Sequence, residues 1–211
     1  VSKKAIVFID GNNFYHNIKK TGVRPGSVNL YRVCQLITDT FGVEFTKSIY
    51  YNSIPDIRDG EKMYYGHLSY LSEVARLPNF EVKTRKLQKQ SVREFQEEKQ
   101  RMLSALDFCE KCRPLAEKNC FGCVGTHKKK EKGIDVMIAV DMVENAIENR
   151  YDCFVLISGD ADFIPALELV RKRGKRIFSA SLEPGYSINL TKKFPSLILT
   201  KELIEENCLK Q

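Results

Sequence analysis

No run of about 18 apolar residues occurs anywhere in this chain, so no segment reads as a bilayer-spanning helix, and no membrane partner is expected. The opening residues, VSKKAIVFID, hold neither the long apolar stretch nor the small-residue cleavage site of a signal peptide, which makes a soluble, cytoplasmic protein the expectation. No internal repeat recurs. No G-x-G-x-x-G follows the first apolar run and no G-x-x-x-x-G-K-[ST] occurs, which argues against dinucleotide and P-loop chemistry. Histidine is scarce, and two of the three, His16 and His67, read as structural residues.

What is present fits a globular chain. With 211 residues, 43% of them hydrophobic, one domain over 1–211 with a small inserted module is expected. The formal net charge is +7, with 34 Lys and Arg against 27 Asp and Glu, so a polyanionic partner is plausible. The cations fall in three groups: Lys83, Arg85, Lys86, Lys89 and Arg93; Lys128, Lys129, Lys130 and Lys132; and Arg171, Lys172, Arg173, Lys175 and Arg176. Each alone suits a solvated face; together they matter if they ring an acidic site, because carboxylates repel the polyanion they act on.

The apolar pattern alternates between short β-branched runs and helical stripes. Strands are expected at 5–9, 45–51, 80–87, 153–157 and 176–180. Helices are expected at 14–20, from Asn29 to Thr40, at 59–77, 134–149 and 163–173. Tyr64, Tyr65 and Tyr70 fall in the 59–77 helix and read as packing residues rather than base platforms. This order predicts an α/β fold, a three-layer α/β/α sandwich with a mainly parallel sheet. Residues 88–132 break the alternation and are the candidate insertion.

Four carboxylates stand at strand ends or helix starts. Asp10 ends the first strand, Asp135 opens the helix feeding the 153–157 strand, and Asp160 and Asp162 follow that strand in ISGDADFIPAL. In an open α/β sheet the ligand site lies beyond the carboxyl ends of the strands, near the reversal of strand order, where these acids would converge. Such a cluster needs a hard divalent cation, magnesium or manganese, between its charges. Taken singly, the acids also suit turn or capping roles, and Asn13 suits either a phosphate contact or a helix cap.

The three segments VFIDGNNFY, KGIDVMIAVDMV and LISGDADFIPALELVRKRGKRI resemble, in that order, the NYN domains of the PIN-like nuclease superfamily, the LabA-like group in particular. The resemblance covers residues 3 to about 180. It implies a PIN-like fold, metal-dependent ribonuclease activity on RNA, Asp10, Asp135, Asp160 and Asp162 as metal-binding acids, and Asn13 and Ser158 as supporting polar residues. Where relatives commonly carry an Asp after the last core strand, this chain reads SINLTKKF, which leaves Asn189 as a substitute.

Cys109, Cys112, Cys120 and Cys123 form C-x-x-C, seven residues, then C-x-x-C, the pattern of two knuckles around one tetrahedral zinc. A structural zinc holding residues 107–127 is expected, with His127 as a substitute ligand. The resemblance adds that some relatives carry a Cys-rich insertion just before the KGID motif. Cys34, Cys153 and Cys208 read as ordinary buried or terminal cysteines, and KELIEENCLK fits either a capping helix or a homodimer contact.

Two other functions fit less of the sequence. A haloacid-dehalogenase-like phosphatase needs D-x-D at the first strand end, and position 12 is Asn. A non-catalytic, zinc-stabilised RNA-binding module would leave the intact acids without a task.

Overall fold

The computed structural model describes residues 2–86, 88–89, 92–120, 129–130 and 133–210. In chain order its first elements are β1 (Lys4–Asp10), α1 (Gly11–Lys20), α2 (Leu30–Thr40), β2 (Glu44–Ile54), α3 (Glu61–Ala75) and β3 (Phe80–Lys86). Then come β4 (Gln88–Lys89), α4 (Val92–Ser104), α5 (Cys112–Leu115), β5 (Lys129–Lys130) and α6 (Ile134–Glu148). The last are β6 (Cys153–Ile157), α7 (Ile164–Lys172), β7 (Arg176–Leu182), α8 (Ile188–Lys193), β8 (Ser196–Leu199) and α9 (Lys201–Asn207). The chain divides into two compact units, Val1–Lys86 with Gly133–Gln211, and Leu87–Lys132.

The larger unit is built on six strands in the order β3-β2-β1-β6-β7-β8, every pair parallel. A two-residue side-chain period splits β1 between two cores. Ala5, Val7 and Ile9 face one, with residues of α1, α2, α3 and α9. Ile6 and Phe8 face the other, with residues of α6, α7 and α8. Both faces of the sheet are thus covered, which is the α/β/α sandwich expected from the alternation.

Strand order turns around at the centre. From β1 the chain moves outward through β2 to β3, then returns to β6 on the other side of β1 and moves outward through β7 to β8. The crevice where order reverses therefore lies between the carboxyl ends of β1 and β6.

Several elements differ from the sequence expectation. Helix α1 starts at Gly11 rather than residue 14, because the Asp10 side chain caps it by accepting from the Asn13 amide. No loop intervenes, and only glycine fits at 11: a Cβ there would lie 2.4 Å from the Tyr51 carbonyl oxygen. Strand β8, a short run behind Pro195, was not anticipated. The C-terminal stretch folds back as α9, burying Ile204 and Cys208, with Leu209 bridged to Val28. On α3, Met63 is 52% and Tyr65 59% exposed, whereas Tyr70 packs edge-on against Tyr50 at 6.2 Å. The packing of Tyr70 matches the reading from helical spacing, Tyr64 is half-buried and meets the Tyr65 ring edge-on at 5.3 Å, and the exposed Tyr65 departs from it.

Candidate active site

Asp10 is the last residue of β1 and is 5% exposed. One oxygen, Oδ1, accepts from the Asn13 amide at 3.0 Å, and Oδ2 accepts from the Ser158 hydroxyl at 3.0 Å. The same Ser158 Oγ accepts from the Asp160 amide at 3.1 Å, and Asp160 Oδ1 accepts from the Asp162 amide at 2.9 Å. One continuous chain of hydrogen bonds thus joins Asp10, Ser158, Asp160 and Asp162 across the crevice where strand order reverses.

Asn13 is locked into this chain from the other side. Its Oδ1 accepts both from the Gly159 amide at 3.2 Å and from Asn17 Nδ2 at 3.0 Å. Two donors on one oxygen fix the orientation of the amide and leave Nδ2 as its remaining donor. Asn12 Nδ2 donates to Ser53 Oγ at 2.8 Å, tying the same turn to the end of β2. Behind it, burial first, then the neighbouring Tyr70 and the Asp10 charge, hold the Tyr50 phenol well above its ordinary range.

Asp135 lies in the first turn of α6 and is exposed. Because α6 returns to the start of β6, that turn is at the carboxyl edge of the sheet, as are Asp10 and Asp160. Among the described residues, no group of three or more His, Cys, Asp or Glu side chains is gathered as a finished metal cage. The donor chemistry of the edge is nevertheless that of a hard cation: carboxylate oxygens with amide and hydroxyl partners.

Residues 4–198 match the NYN domain. The chain belongs to the NYN family. That family is one of PIN-like nucleases. A 57-residue stretch is 37% identical to the uncharacterized protein MJ0482 of Methanocaldococcus jannaschii and spans 27% of this chain and 24% of that protein. The crystal structure of VPA0982 of Vibrio parahaemolyticus, a protein of unknown function, shares the fold. The TM-score is 0.55 over 99% of this chain and 97% of that one, at 17% identity. Among the described residues, no helix of the NYN chain is long and apolar enough to cross a membrane.

Sequence reasoning misses the roles of three residues of this NYN domain. Asn17, 5% exposed, orients Asn13, and only the helical spacing of 13 and 17 signals it. Asp141, in the KGIDVMIAVDMV segment, is a buried carboxylate that accepts from the Tyr51 hydroxyl at 2.7 Å and from Lys83 Nζ at 2.8 Å. Burial pulls the Lys83 ammonium down, but the hydrogen bond and charge of Asp141 outweigh it and hold the group above its usual range. Lys83 is therefore committed to Asp141, not offered to a ligand. Third, Lys175 is buried and donates to Asn149 Oδ1 and to the Tyr151 carbonyl.

The three basic groups separate. Arg85 and Lys86 end β3 at the carboxyl edge and are exposed. Arg171 to Arg176 span the end of α7 and the start of β7, at the opposite edge, so this group does not ring the acids. Lys128 and Lys132 lie outside the described residues, as do Cys123, His127 and the side chain of Cys120. Cys109 and Cys112 are exposed thiols. The Cys112 thiol, followed by the backbone amides of Cys112 and Lys111, lowers the Cys109 thiol below its ordinary value. Burial has the opposite effect on Cys34, pushed up to about 12, and Cys208, to about 11. Asn189 lies in the short helix α8 and, among the described residues, makes no hydrogen bond to the acids.

Proposed function

We propose that this NYN domain is a metal-dependent ribonuclease that hydrolyses RNA phosphodiester bonds at Asp10, Asp135, Asp160 and Asp162, with magnesium or manganese as cofactor. The observation that carries the reading is the Ser158 hydroxyl, which joins Asp10 to the Asp160 backbone at the reversal of strand order.

In this reading Asp10 and Asp160 hold the cation, with Asp135 and Asp162 completing its surroundings. The bound ion supplies Lewis-acid polarisation of a phosphoryl oxygen and a water of lowered pKa. The chain's own residues provide the placement. Asp10 is fixed by two donors and cannot swing away from β1. Asn13, with its oxygen saturated, offers Nδ2 to a phosphate oxygen. Ser158 keeps the two strand ends in register, so both carboxylates meet one phosphodiester.

Cleavage of a pool of labelled RNAs by the wild type, with magnesium or manganese and with EDTA, tests the proposal beside Asp160→Asn. Loss of a partner outside the first ligand shell commonly costs ~10–100-fold, so removing a ligand carboxylate should cost at least about a hundredfold. RNA binding should survive. Metal-independent cleavage, or an unaltered rate in Asp160→Asn, overturns the site assignment; binding without cleavage favours the non-catalytic module.

We further propose that Cys109, Cys112, Cys120 and Cys123 hold one structural zinc that folds residues 107–127. Besides the spacing, the Cys112 and Arg113 amides both donate to the Cys109 carbonyl, at 3.0 and 3.1 Å, a tight turn that keeps the first two thiols together. Four thiolates leave no open coordination position, so the role is structural. Elemental analysis should give one zinc per chain, lost in Cys109→Ser; a metal-free wild type purified without chelator would sink this assignment.

A further inference from the structure

The segment after β7 is pressed against the acidic crevice. Glu183–Gly185 forms a 3-10 turn and Tyr186 continues it in extended conformation, with φ −73° and ψ 149°. A Cβ on Gly159 would lie 1.6 Å from the Gly185 carbonyl oxygen and 3.5 Å from the Tyr186 Cα, so only glycine at 159 lets the two turns meet. A Cβ on Gly185 would in turn lie 2.1 Å from Asn17 Nδ2, the group that orients Asn13. The backbone at Tyr186 is therefore held by the same contacts that hold the residue preceding Asp160.

The Tyr186 side chain itself is 44% exposed and has no ring partner or hydrogen bond among the described residues. A ring with large apolar faces on a fixed backbone beside a phosphate-handling site has the form of a stacking platform. At the far side of the same edge, Arg85 Nη1 lies 3.0 Å from where a Cβ on Gly133 would be, two residues before Asp135. From β7 to β3 there are four strand spacings, about 19 Å. An RNA segment laid from Tyr186 to Arg85 crosses β6 and β1, the strands that carry Asp160 and Asp10.

We propose that Tyr186 is a specificity-determining residue: it stacks on the nucleobase beside the scissile phosphate and so selects which phosphodiester reaches Asp160 and Asp10. The inference rests on the ribonuclease reading. Bases in a duplex are already stacked on their neighbours, so the platform serves an unpaired base.

The test compares wild type, Tyr186→Phe and Tyr186→Ala, all checked for unchanged melting. Binding is measured in EDTA to a short labelled single-stranded RNA and to the same sequence as a duplex; cleavage positions are then mapped with metal. Tyr186→Ala should bind the single strand roughly tenfold more weakly, with duplex binding unchanged within about twofold, and should spread its cuts over more positions. Tyr186→Phe should match wild type in both. Equal binding by Tyr186→Ala, equal losses in Phe and Ala, or no single-strand binding by wild type would each overturn the inference. Failure of the ribonuclease reading is seen separately, as absence of metal-dependent cleavage by the wild type.

Discussion

At the carboxyl end of the parallel sheet, Arg85 and Lys86 stand exposed with no ion pair among the described residues. At the amino end, cations of the third basic group are put to internal use. Lys175 is buried against Asn149 and Tyr151, Arg171 lies over the Phe194 ring at 5.4 Å, and Arg176 lies over Phe178 at 5.1 Å. In a parallel sheet every crossover helix carries the chain back to the amino edge, so a basic run that closes such a helix is sent away from acids at strand ends. Charge density along a sequence thus carries no address; topology supplies it. Here it leaves the carboxyl end free to meet a polyanion and turns part of the amino end into structure.

The largest expected effect at the amino end is on stability. Lys175→Met keeps most of the apolar stem but strips the ammonium from Asn149 Oδ1 and the Tyr151 carbonyl, where hydrogen bonds to a charged donor are worth ~1.5–3 kcal/mol. A loss of about 2 kcal/mol should lower the melting temperature by roughly 4–8 °C for a chain of this size. RNA affinity should stay within about twofold. A variant that melts like wild type but binds RNA poorly would show that the amino end also faces the nucleic acid, and the contrast between the ends would collapse.

Much of this contrast was hidden in the sequence for reasons that are physical. Strand β1, the Asn29 cap of α2 and strand β6 are legible because local pattern and burial agree: β6 is buried along its whole length. The start of α1 is not legible because Asp10 serves both as strand end and as helix cap, a double use that only the fold reveals. The strand-end acids could be picked out one by one, since a carboxylate after a buried apolar run is an unusual residue choice. Their link through Ser158, 148 positions from Asp10, and the Gly159–Gly185–Asn17 contact join residues far apart in the chain and leave no local trace. Lys175 is indistinguishable from its solvated neighbours because nothing in RKRGKR marks the lysine that turns inward.

A smaller but cleaner measurement sets the two ends directly against each other. Arg85→Ala with Lys86→Ala removes two exposed cations from the carboxyl end; Lys172→Ala with Arg173→Ala removes two from the amino end. Both double variants lower the formal charge from +7 by the same two units, so any difference between them reflects location alone. The ends are about 23 Å apart along a seven-residue strand such as β1, well beyond the ~8 Å screening length at physiological salt. If RNA phosphates lie on the carboxyl edge, each lost contact should flatten the dependence of log affinity on log salt by about 0.7. The Arg85/Lys86 variant should therefore lose about 1.4 in slope and roughly tenfold in affinity, read by titrations across a salt series. The Lys172/Arg173 variant should keep the wild-type slope. Equal slopes in the two variants would mean that the cations act as a diffuse field, and that the RNA path from Tyr186 to Arg85 is not the one the protein uses.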